Sequence, residues 1–308
     1  MDRPASRDRP TEQRVVLGMG LRLGSALMLA LLFAGVKWAA ARGVSVVESV
    51  FYRQIGSAVC ATAWVALGPG FHSLKTNRVG AHVGRMAIGV AAMGLNFLAV
   101  AMLPLAEATA IGFSVPIFAT VLAALVLGEQ ARWWRWGAVV AGFIGVLVIV
   151  QPGSGHIGTI GGLVAMAAAL TTAGATIAIR RLGATEEAAT TVFWFAVSSL
   201  VPLGLAMLFF VRSHDPTTWL VIAAFSVAGG IAQLALTGAL RLAPVAVVMP
   251  MDYSSLLWAS LLGWLIFGQL PSHWTALGAP IVIAAGLVIL WREQKLRKAG
   301  TVAQAVPE

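Results

Sequence analysis

An all-α membrane protein of ten transmembrane helices, arranged as two inverted five-helix repeats, is the fold class this sequence predicts. Three observations predict it. Of the 308 residues, 59% are hydrophobic and only 11% charged, with a mean hydropathy of +0.86, which excludes a soluble domain with a charged surface. The apolar residues fall into runs near the roughly 20 residues that one bilayer crossing needs. The charged residues lie between those runs, with a strong bias to one side. Ten such runs fill the chain and leave no room for a soluble domain of ordinary size.

Reading the apolar runs against breaks of charge, Gly and Pro places spans at 18–41, 45–67, 84–103, 107–127, 134–151, 157–180, 188–211, 217–240, 244–267 and 273–291. The first follows the basic stretch from Arg3 to Arg14 and carries Lys37 near its end. Its length and the spans behind it predict a retained helix, not a cleaved signal. The second opens on Glu48 and holds Tyr52 and Arg53; the third holds Asn96, and the fourth Pro116. Trp133, Trp134 and Trp136, with Arg132 and Arg135, form an interfacial belt where the fifth begins. The eighth carries Gln233, and the ninth Pro250, Asp252 and Tyr253. Residues 1–17 and 292–308 read as polar tails.

Nearly all of the 21 Lys and Arg residues fall on the side of the two tails. The other side has Arg42 and Arg212, while Lys37 and Arg53 lie within spans. By the positive-inside rule both termini are expected in the cytoplasm and the protein in the inner (plasma) membrane. The +9 charge is then a topology signal, and no nucleic-acid partner is expected. Cys60 is the single cysteine, so neither a disulfide nor a Cys-based metal site is expected. His72, His82, His156, His214 and His273 are dispersed, without metal-ligand spacing or a Ser/His/Asp constellation, and no glycine run forms a phosphate loop. No metal, cofactor or enzyme activity is expected.

The ten spans divide into halves, 18–151 and 157–291. Laying Ala101–Ala106 on Gly238–Ala243 puts Asn96 opposite Gln233, and Gly128-Glu129 matches Gly268-Gln269 after a short insertion. Five spans per half mean that the second half enters the membrane from the other side, the inverted-repeat architecture of many secondary transporters.

Leu105-Ala106 to Pro116, Leu127-Gly128-Glu129, Gly142 to Gly145 and Gln151-Pro152-Gly153 together resemble the first EamA repeat of the drug/metabolite transporter superfamily. Ala243-Pro244, Pro250-Met251-Asp252-Tyr253, Leu257-Trp258-Ala259, Gly263-Trp264, Phe267-Gly268-Gln269 and Pro271 resemble the closing half of a bacterial subgroup. Gln269 departs from the Glu usual at that helix end. The resemblance implies a ten-helix transporter with a central cavity between repeats.

An ionisable side chain in hydrocarbon is costly enough to mark a functional candidate, and Lys37, Glu48, Arg53 and Asp252 qualify. Lys37, Glu48 and Arg53 are expected in one half of the bilayer, close enough to meet. Their spacing is similar to that in subgroup members handling S-adenosylmethionine or riboflavin; the alternative is a structural network in which Lys37 snorkels. Asp252, deep in its span, needs a partner or a proton. Pro116 and Pro250 interrupt corresponding helices, for substrate binding and bending or for packing alone. Tyr52 and Tyr253 adjoin buried charges, and Asn96 and Gln233 offer amides to a solute or to a neighbouring helix. Trp38, Trp194 and Trp258 are candidates for stacking or for packing.

These residues predict alternating-access transport of a small amino-acid-like or S-adenosylmethionine-like metabolite. Riboflavin or another aromatic metabolite is the alternative substrate, and a structural or interaction membrane protein the alternative class. Protons or a counter-substrate are the expected coupling partners, suggested by Asp252 and the lack of a Walker sequence. The lipid bilayer is the expected surrounding.

Overall fold

The computed structural model describes residues 12–68, 70–76, 78–127, 133–151, 158–182, 186, 188–243 and 248–303. Gly128-Glu129, Pro152-Gly153, His156 and Pro244 lie outside the described residues, as do the ends of both tails. The described residues form eleven α-helices: α1 (Glu12–Ala40), α2 (Val46–Leu67), α3 (Val79–Met102), α4 (Leu105–Gly112), α5 (Val115–Leu127), α6 (Trp133–Val150), α7 (Thr159–Leu182), α8 (Ala188–Phe210), α9 (Pro216–Leu242), α10 (Ser254–Phe267) and α11 (His273–Ala303). Short 3₁₀ turns cover Phe71–Leu74 and Met249–Tyr253. The outer helices outrun their expected spans. α1 starts at Glu12, and α11 carries the good helix formers after Arg292 through to Ala303.

Among the described residues seven stretches are long and apolar enough to cross a membrane, one of them running through α4 and α5 together, while α6 is apolar but shorter. α2 holds the polar run Tyr52-Arg53-Gln54, and buries Gln54 completely. α10 is short because its span is broken by the 3₁₀ turn before it. α1 begins and α11 ends on one face, here the terminal face; the connection between α1 and α2 lies on the opposite face.

The packing is two-fold. Exchanging the five spans of the first half for those of the second maps the α1·α9 contact onto α3·α7, α2·α9 onto α3·α8, and the contact of α1 with α10 onto that of α7 with α4 and α5; α2·α8, α6·α11 and α4·α10 map onto themselves. Inverted repeats produce this pattern. Close approach of α6 and α11 depends on glycine at one reciprocal point: a Cβ on Gly278 would meet the Gly145 carbonyl oxygen at 2.6 Å, and one on Gly145 would meet the Gly278 oxygen at 3.1 Å. Leu32, Phe97, Ile111, Ile117, Ile149 and Phe225 fill the bundle interior, whereas Val201, Leu205, Leu208 and Phe209 of α8 face outward as lipid-exposed side chains do.

Corresponding spans are broken in both halves. α4 ends at Gly112, Phe113 and Ser114 form a turn, and Pro116 sits in the first turn of α5; Pro250 occupies the first turn of the 3₁₀ segment before α10. At those positions the missing N–H leaves no helical bond unmade. Pro202 and Pro280, by contrast, lie inside the continuous helices α8 and α11. Proline alone therefore does not break these spans; the two breaks are specific to one symmetry-related pair.

Candidate functional site

Between the repeats lies a cavity of about 690 Å³, lined by α1, α2, α3, α4, α5, α7, α8, α9, the second 3₁₀ turn, α10 and α11. That volume falls in the range of small-molecule sites. Both helix breaks reach it, through Phe113 and Pro116 on one side and Asp252 and Tyr253 on the other. Its rings are Phe33, Phe97, Phe113, Phe195 and Tyr253, and its charged groups Arg22, Arg53, Arg85 and Asp252.

Asp252 has a partner that hydropathy assigned to the interface. Arg22 of α1 donates from Nε to Asp252 Oδ1 and pairs with the same oxygen through Nη2. α1 starts ten residues before Arg22, which puts this side chain about 15 Å along the helix. The third nitrogen of Arg22, Nη1, donates to Ser25 Oγ at 3.3 Å, and Ser25 donates to the Ala232 carbonyl of α9 at 2.8 Å. The pair thus joins the first repeat to the second.

Arg53 lines the cavity and donates to Gln54 Oε1 at 2.6 Å; Gln54 in turn reaches Ser199 Oγ of α8 at 2.5 Å. Asn96 lines it and donates to Thr172 Oγ1 of α7 at 3.0 Å, which ties α3 to α7 at the repeat boundary. Gln233 is on the opposing wall. Tyr253 stands edge-on to Phe113, ring centroids 4.9 Å apart, so the two helix breaks touch each other.

Lys37, Glu48 and Arg53 do not meet. Lys37 Nζ donates to the carbonyls of Val100 (3.2 Å) and Leu103 (2.6 Å) at the C-terminal end of α3, and lies 5.6 Å from the Phe267 ring centroid. A cation there satisfies carbonyls that the helix leaves orphaned. Glu48 is a helix cap: Ser45 and Glu48 exchange backbone-to-side-chain bonds as a capping box, and its other oxygen accepts from Arg212 N and lies 3.0 Å from His214 Nε2. Tyr52 packs edge-on against Phe51 and Trp219. Neither Trp38, Trp194 nor Trp258 lines the cavity; Trp38 lies under Arg42, and Trp194 donates to the Leu74 carbonyl.

Lys37 and Glu107 close the cavity toward the opposite face. Glu107, on α4, accepts from Ser272 N at 3.1 Å and Thr275 Oγ1 at 3.3 Å, and attracts Lys37. Around them Val36, Ala39, Leu103 and Leu105 are fully buried. On the terminal side the lining continues to Thr176 and Ile179 of α7, both exposed. The cavity is sealed at one end and open toward the other.

Arg22, Arg85 and Glu107 were missed by the sequence reading. A charge near the end of an apolar run counts as interfacial until the helix boundary is known, and for α1 that boundary falls at Glu12. Glu107 is only three residues beyond Pro104 and is the first residue of the 107–127 span, so it too reads as interfacial.

Residues 16–151 and 159–291 each match the EamA-like transporter family. The chain belongs to that family. It is a multi-pass membrane transporter of the drug/metabolite type and not an enzyme. Among its relatives are a riboflavin transporter of Vibrio cholerae, 28% identical over 75% of this chain and 78% of the relative, and an S-adenosylmethionine uptake transporter of Rickettsia prowazekii, 27% identical over 80% and 84%. A pseudopaline exporter of Pseudomonas aeruginosa is 30% identical over 67% of this chain and 72% of the relative. Relatives of this kind carry small molecules, in both directions across the membrane.

Proposed function

We propose that this EamA transporter moves an amino-acid-like or S-adenosylmethionine-like metabolite across the inner membrane by alternating access, with both termini in the cytoplasm. The observation that carries the reading is the cavity itself: it lies between the repeats, both broken spans line it, and it is closed at one face only. In this orientation the structure corresponds to the state open to the cytoplasm. Rocking the repeats toward the other state separates Lys37 from the end of α3 and Glu107 from Ser272 and Thr275, while the terminal side closes over the solute. The breaks at Pro116 and Pro250 supply hinges where the two spans are already discontinuous.

Arg53, Asn96, Gln233, Tyr253 and Asp252 are the residues proposed to meet the solute; Lys37, Glu48 and Tyr52, placed away from the cavity lining, act on the closure or the stability of the bundle. Asp252 is the proposed proton site, because protonation removes the charge that holds Arg22. The five lining rings favour a second reading, an aromatic metabolite such as riboflavin. Counterflow in proteoliposomes with amino acids, S-adenosylmethionine and riboflavin separates the two: the first reading expects exchange of a zwitterion, and exchange of riboflavin alone contradicts it. Equal initial rates with and without a pH gradient contradict proton coupling.

A further inference from the structure

Arg85 stands on α3, lines the cavity, and stacks its guanidinium on Phe195 of α8 with 4.1 Å to the ring centroid. Its Nε and Nη1 are buried and have no hydrogen-bond partner among the described residues. Arg53, across from it on α2, is close enough for the two charges to repel each other, and among the described residues its one hydrogen-bond acceptor is the neutral Gln54. Among the described residues neither guanidinium has a carboxylate within 4 Å, and the lining carboxylate, Asp252, is held by Arg22. The space for Arg85 is made by Gly89: a Cβ there would collide with Arg85 Nη1 and meet Phe195 Cε2 at 2.7 Å.

Two unpaired cations facing each other in an apolar bundle are unfavourable until an anion lies between them. A guanidinium presents a planar fork of donors matched to an oxyanion, and stacking on a ring fixes the plane of that fork. We propose that Arg53 and Arg85 form the seat for an oxyanion of the transported organic solute, a carboxylate or a phosphate ester. The seat rests on the transporter reading of this cavity and narrows it. The solute carries negative charge at one end, its remaining body lies along Phe33, Phe97 and Phe113, and a cationic group is optional, since Asp252 is already paired.

The test is thermal unfolding of the detergent-purified full chain against matched probes: methionine with methioninamide, and flavin mononucleotide with riboflavin. In at least one pair the anionic member is expected to stabilise at a concentration at least about ten-fold lower than its neutralised partner, the scale of one hydrogen bond to a charged group. Arg85→Gln and Arg53→Gln should each erase that preference while leaving the unliganded melting temperature unchanged or higher, because each removes an unpaired charge. Gly89→Ala, which displaces the Arg85 fork and keeps its charge, should weaken the preference. Equal responses within both pairs overturn the seat, as does a preference that survives Arg85→Gln. A loss of unliganded stability in Arg85→Gln with preference intact assigns the residue to the fold instead. Proteoliposome flux, measured alongside, separates the two ideas: anion-selective binding without flux contradicts the transporter reading and keeps the seat, whereas flux indifferent to the anion contradicts the seat and keeps the transporter.

Discussion

Lys37, Glu48 and Glu107, toward the opposite face, are 9%, 0% and 2% exposed, and each is held by backbone or hydroxyl groups from elements distant in sequence. Arg22, toward the terminal face, is as buried as Lys37, at 8% exposed, and Asp252 is partly exposed; the two are held chiefly by one another. One end of the cavity is stitched by several bonds to main chain, and the other is bridged by a single ion pair beside an open space. Burial is therefore a poor guide to role: Glu48 caps a helix, Lys37 and Glu107 are assigned to closure in the proposed cycle, and the equally buried Arg22 lines the cavity with Asp252.

The largest expected effect falls on Glu48. Glu48→Ala removes a capping box and strands the Arg212 N–H, so the chain should lose on the order of 3 kcal/mol of stability in thermal unfolding; a loss no larger than at an exposed position would detach Glu48 from the closed end. Lys37→Met should destabilise the sealed state by about 2 kcal/mol, read as increased labelling of a cavity cysteine from the opposite face on a Cys60→Ser background. Unchanged labelling would mean that the α3 carbonyls are not part of the closure.

At the other end Asp252→Asn should keep the fold and remove the pH dependence of initial transport rates, and exchanging the charges, Arg22→Asp with Asp252→Arg, should restore more folded protein than either change alone. If the exchange gains nothing, the pair is not a bridge between repeats. The smallest effect is expected at Asp215, which caps α9 outside the membrane. Hydrogen bonds from Thr218, through its side chain and its backbone N–H, and from the Thr217 N–H hold this carboxyl below its ordinary value of 3.8. A depressed carboxyl stabilises the fold above its unfolded value and loses that contribution as pH falls through the folded one. The stability gap between the parent and Asp215→Ala should be full near neutrality and shrink below pH 3.8; a gap that widens in acid would contradict the cap.

Much of the architecture was legible before any coordinates. The spans followed from apolar run length, and Pro116 and Pro250 marked the two spans that break, although Pro202 and Pro280 carry the same residue type without breaking theirs. Asn96 and Gln233, paired by the repeat, both line the cavity. What could not be read was partnership across the chain. Glu48 depends on Arg212 and His214 from the connection between α8 and α9, and Asp252 on Arg22 from the first helix. Periodicity says which way a side chain faces within one helix and nothing about which distant helix faces it. Arg85 was hidden for a related reason, since a cation near a span end resembles a topology signal until a ring such as Phe195 is found over it.

In the proposed cycle the stitched end opens while the bridged end closes. Spin labels at Arg42→Cys and Leu270→Cys, exposed positions on the two repeats at the opposite face, with Cys60→Ser removing the native thiol, read this directly by pulsed dipolar distance measurement. Two distance populations are expected, the longer one growing when Lys37→Met is added. A single distance, unchanged by Lys37→Met in protein that still carries out flux, would contradict that cycle.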